Sequence, residues 1–475
     1  MTHRPNIVFI ITDQMRADCL GLEGHPVVET PNLDIVGRGG VHFRAAYSSC
    51  PSCIAARASM FTGLTPSTHG RLGYQDCVPW RYDRTLAHLL SDAGYQTHCV
   101  GKTHFFPQRH HLGFQSMDSY EAGQNFDGRY VNDYHEFLRE AGVDPNETAH
   151  GLDWNSWVAR PSHLPEALHN NTWVAQRGVA FLRRRDPLRP FFLNLSFHRP
   201  HAPIDPPQAY WDMYRDRPVP PVPVGDWAAR HAVAPQDINC WHGVVPSESL
   251  ARSRRAYYAQ IAHIDNQIGR VLRALRLTHG IGPTWIIFTS DHGEMLGDHH
   301  LFRKAYAYEG SARVPLLVCP PSSGTGCTSD APVLLEDIRP TSHDSAGIPT
   351  PPSVEGRSLL PFLKGRTPDG WRSFLHGEHA ACYEPVNGMQ YLTDGKEKYI
   401  WYTQSGEEQF FDLRTDPAEC RNLSACPAAS DRIAVWRQRL VEYLATRPSD
   451  GLSDGTRLIA GTNLPHVRPQ LTNPA

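Results

Sequence analysis

Three apolar runs, each ending in polar residues, constrain the fold of this chain more than any other feature. They cover residues 5–12, 189–197 and 284–288, and each leads directly into acidic, amide or imidazole side chains. A continuous apolar run is typical of a strand buried on both faces, as in parallel sheets covered by helices. Ligands of such sheets collect beyond the carboxyl ends of the strands. The three runs therefore predict one sheet with a functional site at its carboxyl edge.

Helical patterns lie between these strands. Apolar residues recur at helical spacing in residues 85–93, 172–184 and 248–277. Strands that alternate with helices favour an α/β fold with a mostly parallel central sheet and helices on both faces. Residues 203–223 are rich in proline, which interrupts helices and strands, so they are expected to form a long surface excursion.

The character of the sequence changes near residue 365. Residues 389–392, 396–403 and 409–413 read as strands of an antiparallel sheet with glycine turns between them. An amphipathic helix is expected over residues 431–445, followed by an irregular tail. We therefore divide the chain into a large α/β domain, residues 1–365, and a smaller α+β subdomain, residues 366–475.

Composition excludes several classes of function. The formal net charge is −3 and the isoelectric point is about 6.8, so no basic field exists to bind nucleic acid. The longest N-terminal apolar run, residues 7–11, is too short for a signal peptide, and no run reaches membrane-spanning length. We expect a cytoplasmic protein without a membrane partner, or a periplasmic one if a signal was removed. The 11 cysteines show no regular framework, which favours reduced thiols.

Cys50 and Cys53 stand three residues apart at the start of a predicted helix. This spacing suits a zinc hook or a redox pair, but zinc would require a second pair and a redox pair its own small fold. Plain buried thiols are a third interpretation. The fourth is a nucleophile made by chemical conversion of Cys53, and it depends on the residues that follow.

The segment Cys-Ile-Ala-Ala-Arg, residues 53–57, resembles the signature of the type I sulfatases, in which the cysteine is oxidised to formylglycine, an aldehyde. Further motifs match this family in its order: Thr12-Asp13-Gln14, Gly101-Lys102-Thr103-His104, Pro200-His201-Ala202-Pro203, Ser290-Asp291-His292-Gly293-Glu294, and Lys304 with Tyr308-Glu309-Gly310 and Arg313. The sequence departs from the commonest pattern at Gln14 and His292, where that pattern has aspartate and asparagine, and at Ala55, where proline is commoner.

The resemblance implies an alkaline phosphatase-like fold, a formylglycine-generating maturation enzyme as partner, and one divalent cation. The implied metal ligands are Asp13, Gln14, Asp291, His292 and the converted Cys53. The oxygen-rich set suits a hard divalent cation such as calcium, magnesium or manganese, and the resemblance implies calcium. Gln14 and His292 lower the charge of the ligand set, so manganese and magnesium remain alternatives.

Roles for the other residues also come from the resemblance. Arg57 would face the converted cysteine, and Asp291 would take the proton of the attacking hydroxyl. His201 would protonate the departing alcohol, and Lys304 would bind the sulfate and assist its leaving group. Lys102 and His104 would steady the hydrated aldehyde and assist its regeneration. Arg71, or the basic run at residues 109–111, is a candidate for pairing with a sugar carboxylate.

The predicted function is therefore hydrolysis of a sulfate monoester. A sulfate ester repels nucleophiles, so its site must concentrate positive charge around an activated oxygen. One hydroxyl of a hydrated aldehyde attacks, and loss of the other's proton expels sulfate and restores the aldehyde. We expect an exo-acting enzyme for sulfated mono- or oligosaccharides, including 2-O-sulfated uronates.

Two alternatives stay open. A phosphonate monoester or phosphodiester hydrolase of the same superfamily often has metal pairs like Asp13-Gln14 and Asp291-His292, but generally lacks the equivalents of Lys102 and His104. A binding protein that keeps the fold and leaves Cys53 unmodified is the other alternative.

Overall fold

The computed structural model describes residues 4–126, 128–322, 324 and 326–472, so the outermost residues of both predicted domains lie outside the described part. The strands are β1 (Asn6–Asp13), β2 (Val41–Phe43), β3 (Ala46–Tyr47), β4 (Gln96–Gly101), β5 (Ser116–Ser119), β6 (Phe191–Pro200), β7 (Thr284–Ser290), β8 (Leu316–Cys319), β9 (Cys327–Ser329), β10 (Val333–Leu334), β11 (Leu375–His379), β12 (Met389–Thr393), β13 (Glu397–Tyr402) and β14 (Glu408–Asp412). The α-helices are α1 (Pro31–Arg38), α2 (Cys53–Thr62), α3 (Pro66–His69), α4 (Leu86–Asp92), α5 (Asp133–Glu140), α6 (Asn170–Arg184), α7 (Gln208–Tyr214), α8 (Ser247–Leu277), α9 (Glu309–Ala312), α10 (Ile338–Ala346), α11 (Ser430–Ala445) and α12 (Pro469–Thr472).

A large mixed sheet of eight strands forms the centre of the molecule, in the order β5-β4-β6-β1-β7-β8-β2-β9. The first five strands in this order are parallel, and β8 runs antiparallel to both of its neighbours. The three strands predicted from apolar runs are β6, β1 and β7, and they lie side by side in the middle of the sheet. The predicted α/β class with a mostly parallel sheet is confirmed.

Both faces of this sheet are buried, which explains the continuous apolar runs. Along β1, Val8 and Ile10 belong to one apolar core, while Ile7, Phe9 and Ile11 belong to the other. The first core packs under α1, α6 and α8, and the second under α2, α4 and α10. Side chains alternate between the faces of a strand, so a strand between two helix layers needs apolar residues at every position.

The predicted helices are present as α4, α6, α8 and α11, with bounds that differ by a few residues at most. The expectation that residues 203–223 lack regular structure is wrong in part, because α7 lies inside this segment. Pro206 and Pro207 precede the helix, and residues 208–214 contain no proline. Proline is tolerated at a helix start, where its missing N–H would have no intrahelical partner.

The C-terminal part forms an antiparallel sheet of four strands in the order β11-β12-β13-β14. Three of them match the predicted meander, and α11 packs on the sheet through Trp436 and Leu440. The first strand, β11, is absent from the prediction because its sequence, Leu-His-Gly-Glu-His, is mostly polar. Burial of its Glu378 is compensated by an ion pair with Arg447 at 2.7 Å.

Two further expectations concern membranes and thiols. Among the described helices, none is long and apolar enough to cross a membrane. All 11 cysteines lie in the described part of the chain and are free thiols, as their irregular spacing predicts.

Candidate active site

The polar residues that follow β1 and β7 meet the first residue of α2 at the carboxyl edge of the large sheet. Asp13 ends β1, Asp291 and His292 follow β7, and the two strands pair from Asn6 with Thr284 to Thr12 with Ser290. Cys53 is the first residue of α2, and Ser52 before it is extended. The parallel register thus places the two acidic strand ends beside one helix N-terminus, which favours negatively charged groups.

Asp13, Cys53, Asp291 and His292 form a buried cluster whose potential ligand atoms all lie within 4.8 Å of one another. His292 Nε2 lies 3.0 Å from Cys53 Sγ, and its Nδ1 lies 2.9 Å from the carbonyl oxygen of Gly293. That carbonyl fixes the proton on Nδ1 and leaves the Nε2 lone pair facing the cluster. Burial lowers the pKa of His292, which keeps this nitrogen available as a ligand.

The donor set fits a divalent cation. Two carboxylates and one neutral imidazole converge, and conversion of Cys53 would replace its sulfur by oxygen, which suits a hard ion. Burial by itself would raise the pKa of Asp13, but Lys102, His201, His292 and Arg57 together hold it well below its usual range. The Asp13 carboxylate is therefore charged and ready to bind metal.

Gln14 lies beside this cluster. Its backbone N–H donates to Asp291 Oδ1 at 3.1 Å, and its side-chain oxygen accepts from Lys304 Nζ at 2.8 Å. Its side-chain nitrogen donates to Glu294. The backbone φ of Gln14 is 71°, in the left-handed region, which turns the side chain towards the site.

Arg57 lies one helical turn after Cys53 and is fully buried. Its Nε donates to Asp291 Oδ2 at 3.0 Å, and one terminal nitrogen donates to Ser196 Oγ at 2.9 Å. Its other terminal nitrogen lies 3.6 Å from Asp13 Oδ2. Burial would lower the pKa of Arg57, but Asp291 and Asp13 raise it. Arg57 thus contacts both carboxylates of the candidate metal cluster.

Lys102 and His104 follow β4 and reach the same site. Lys102 Nζ lies 2.5 Å from Asp13 Oδ2, and this carboxylate raises the lysine pKa against the opposing effect of burial. His104 Nε2 lies 3.4 Å from Asp76 Oδ1. Burial and Lys102 act to lower the pKa of His104, but Asp76 and Cys53 raise it overall. A histidine with a raised pKa can carry a proton near the Cys53 side chain.

Lys304 and His201 form a second pair in the site. Lys304 Nζ lies 2.8 Å from His201 Nε2, and His201 Nδ1 lies 2.9 Å from the Ala202 carbonyl oxygen. Nδ1–H therefore donates to that carbonyl, and Nε2 accepts from the lysine ammonium. Burial, followed by Lys304, lowers the pKa of His201 well below its usual value.

A cavity of about 480 Å³ opens next to the cluster at Cys53. The lining includes five residues predicted for the site, namely Cys53, Lys102, His104, His201 and Lys304. It also includes residues without a role in the prediction: Tyr74, Gln124, Asp153, Trp154, Asn155, His198, Arg303, His379, Cys382 and Tyr383. Most of these lie in irregular segments or beyond β11, where sequence periodicity carries no signal.

The predicted substrate contact of Arg71 is wrong. Arg71 is buried, and its guanidinium donates to Tyr82 Oη at 3.0 Å and to the carbonyl oxygens of Val78 and Pro79. It also stacks 4.9 Å from the ring centre of Trp80. Its donors are used in supporting the loop, and it does not line the cavity. The basic run at residues 109–111 also lies outside the cavity lining, and Arg109 pairs with Asp133.

Comparison with known proteins agrees with this arrangement. The sequence profile of the family described as Sulfatase matches residues 5–348, and that described as N-sulphoglucosamine sulphohydrolase, C-terminal, matches residues 297–446. An arylsulfatase of Clostridium perfringens (strain 13 / Type A) is 43% identical to the chain, with 98% of this chain and 100% of that protein covered. The multifunctional alkaline phosphatase superfamily protein PehA of Trinickia caryophylli is 30% identical, with 93% and 95% covered. The crystal structure of a phosphonate monoester hydrolase of Agrobacterium radiobacter has a TM-score of 0.78 at 26% identity, with 93% and 96% covered.

Proposed function

The chain belongs to the sulfatase family and is a sulfuric ester hydrolase, and from this premise we propose that it releases sulfate from a sulfated saccharide by means of a formylglycine made from Cys53. The observation that carries the proposal is that Cys53, which lines a cavity, also belongs to a buried cluster with Asp13, Asp291 and His292. A nucleophile precursor, a metal-binding set and access for a small molecule are thereby combined at one point.

Formylglycine at position 53 would supply a hydrated aldehyde as nucleophile, and a divalent cation on Asp13, Gln14, Asp291 and His292 would supply positive charge beside it. Calcium suits this set, with manganese or magnesium as alternatives. Arg57 orients the Asp291 carboxylate, which is placed to take a proton from residue 53. His104 interacts with Cys53 and is assigned the second proton when sulfate leaves.

Lys304 and His201 serve the leaving group in this proposal. The Lys304 ammonium is held between Gln14 Oε1 and His201 Nε2, each 2.8 Å away, so it has a fixed direction towards the cavity. It can bind a sulfate oxygen, and the proton shared with His201 can pass to the departing alcohol oxygen. Proton delivery prevents the build-up of charge on a poor leaving group.

The cavity supports a saccharide as substrate. Its walls contain the aromatic rings of Tyr74, Trp154 and Tyr383, on which the C–H faces of sugars can pack. Gln124 and Asn155 offer amide groups for hydroxyl recognition. A volume of about 480 Å³ is typical of a small-molecule site, and the reactive residue in its lining suits exo action on a terminal sugar.

A second candidate is a phosphonate monoester or phosphodiester hydrolase. The observation that favours it is the Gln14 and His292 pair, together with the likeness to a phosphonate monoester hydrolase at 26% identity. Lys102 and His104 oppose it, because they match the sulfatase motif that such hydrolases generally lack. Both candidates share the nucleophile and differ in the group that is cleaved.

The test begins with peptide mass spectrometry across Cys53 in protein co-expressed with a maturation enzyme. Formylglycine at this position is expected, and an untouched thiol in active protein would contradict the proposal. Turnover of sulfated sugars, 4-nitrophenyl sulfate and a phenyl phosphonate ester is then compared. Higher kcat/KM for the sulfates supports the first candidate, whereas higher kcat/KM for the phosphonate supports the second.

A matched pair of variants separates the chemistry from the fold. Cys53→Ala should abolish turnover. Cys50→Ala removes a neighbouring buried thiol that does not line the cavity, and it should retain most of the activity. Equal loss in both variants would contradict the assignment of Cys53 as the reactive residue.

A further inference from the structure

Arg303 stands directly before Lys304 and lines the same cavity, yet the mechanism above gives it no role. Its backbone φ is 68°, a left-handed conformation that few residues other than glycine adopt. Its N–H donates to Glu294 Oε1 at 2.5 Å, and its carbonyl oxygen accepts from the Met295 N–H at 2.8 Å. A long side chain held on such a backbone indicates that its direction matters.

The guanidinium of Arg303 has no anionic partner in the described part of the chain. Its Nε is buried without an acceptor, and its carbon lies 5.8 Å from the ring centre of Tyr383. By contrast, the buried arginines Arg16 and Arg254 each have an anionic partner, because both pair with Asp298 within 3 Å. Arg303 therefore presents unused donors to the cavity, supported from one side by an aromatic ring.

The lysines and the carboxylate of the cavity wall have protein partners, and Lys304 also has a role in the proposed chemistry. Lys102 is held by Asp13, and Lys304 by Gln14 and His201. Asp153 is the one carboxylate among the lining residues, and its oxygens accept from the Trp154 N–H at 2.6 Å and from Asn239 at 3.0 Å. Arg303 is thus the cation of this wall that is left for the substrate.

We propose that Arg303 binds an anionic group on the leaving part of the substrate, a carboxylate or a second sulfate, and so selects acidic sulfate esters over neutral ones. This inference rests on the proposed function, since it takes Lys304 to bind the sulfate that is removed. A guanidinium offers two parallel N–H donors that match the oxygens of either anion. Arg303 and Lys304 line the same cavity, so this anion and the scissile ester would occupy the same cavity.

The test compares three aryl sulfates with the same leaving-group core: unsubstituted, carboxylated and sulfonated. For each ester, kcat/KM is measured with the mature wild type, Arg303→Met, Arg303→Lys and the control Arg276→Met. The control removes an exposed arginine of α8 that does not line the cavity. We expect Arg303→Met to reduce the preference for the acidic esters over the neutral one about 10-fold to 100-fold, as for loss of a charge-assisted hydrogen-bond pair. Arg303→Lys should retain part of the preference, and Arg276→Met all of it. The carboxylated and sulfonated arms show which anion fits.

An unchanged preference in Arg303→Met, or an equal change in Arg276→Met, would overturn the inference. A second measurement is independent of turnover: calorimetric binding of phenol and 4-hydroxybenzoate to Cys53→Ala, with and without Arg303→Met. If 4-hydroxybenzoate binds more tightly than phenol, and Arg303→Met removes this difference, the inference is supported. That result would stand even if the protein hydrolysed no sulfate ester, and failure to hydrolyse sulfate esters would refute the proposed function alone. Equal binding of the carboxylate with and without Arg303 would overturn the inference alone.

Discussion

Replacing Lys398 by methionine tests how the C-terminal sheet supports the loop that carries Lys304. Lys398 lies on β13 and is fully buried. Its ammonium donates to the Ala307 carbonyl oxygen at 2.7 Å and to carboxylate oxygens of Glu309 and Glu419 at 2.8 Å each. Methionine keeps most of the side-chain volume, so the substitution removes charge and donors with little change in packing.

The loss in the free energy of unfolding caused by Lys398→Met depends on which hydrogen bonds and ion pairs the two carboxylates retain. Glu309 still accepts from Tyr47 Oη at 2.9 Å and pairs with Arg313 at 2.9 Å. In Glu419, Oε2 still accepts from the Glu309 N–H at 2.7 Å. The other oxygen, Oε1, loses its hydrogen bond from Lys398 and remains buried without a donor in the described part of the chain. Breaking a buried ion pair costs about 3–5 kcal/mol. Because one of the two acids stays paired, we expect a loss of about 3 kcal/mol in the free energy of unfolding.

The loss should depend on pH with a definite sign. Burial, opposed by Lys398, raises the pKa of Glu419 from 4.5 to about 7. A folded pKa above the unfolded one means that the protonated acid favours folding below about pH 4.5, and that this contribution is lost as the pH rises through 7. Without Lys398 the folded pKa rises further. The penalty of Lys398→Met should therefore be larger at pH 8 than at pH 5.

Urea denaturation of wild type, Lys398→Met and the double variant Lys398→Met with Glu419→Gln gives the three free energies. The amide removes the unpaired charge, so the double variant should recover about half of the loss or more. A penalty below about 1 kcal/mol, no recovery in the double variant, or a smaller penalty at pH 8 than at pH 5 would refute the reasoning.

Three further outcomes are expected. Cys53→Ser should lower steady-state turnover about 10³-fold or more, because a single hydroxyl can accept sulfate but has no second hydroxyl to expel it, and a normal turnover rate would contradict this. Lys304→Met should lower kcat for 4-nitrophenyl sulfate about 10²-fold to 10³-fold, and a change confined to KM would argue against its action on the leaving group. Removal of metal by a chelator should abolish activity and lower the thermal midpoint, because Asp13 and Asp291 then lose the metal charge that would lie between them, and added calcium should restore both activity and thermal midpoint. Full activity in protein shown to be metal-free by elemental analysis would contradict the metal site.

The site residues that can be predicted from the sequence are those that lie in, or directly after, a strand or helix. Asp13, His201 and Asp291 follow central strands of one parallel sheet, and parallel strands bring their carboxyl ends to the same edge. Cys53 and Arg57 are four residues apart in a helix, so they share a face. Periodicity and motif order suffice for these positions, and the same reasoning gives the sheet and its two helix layers.

The cavity walls require information that is not local. Tyr74 and Trp154 lie in irregular segments, and Tyr383 follows a strand whose polar sequence hides it. Arg71 shows the converse error, because an arginine next to a site motif reads as a substrate contact until its partners are known. Trp80 and Tyr82, which bury it, lie about ten residues further along a loop without periodicity.

The two predicted parts of the chain build the active site jointly. The Tyr391 hydroxyl of β12 donates to the Ser48 carbonyl oxygen at 2.8 Å. The backbone N–H of Glu378 in β11 donates to the Ser49 carbonyl oxygen at 2.7 Å. These bonds fix the segment that leads into Cys53, while Lys398 fixes the loop after Lys304. The proposed nucleophile and the proposed leaving-group residues are thus each tied to the same small sheet. Since catalysis depends on the relative position of such groups to within fractions of an ångström, the C-terminal sheet would contribute to the proposed catalysis, although none of its strands supplies a residue to the candidate metal cluster.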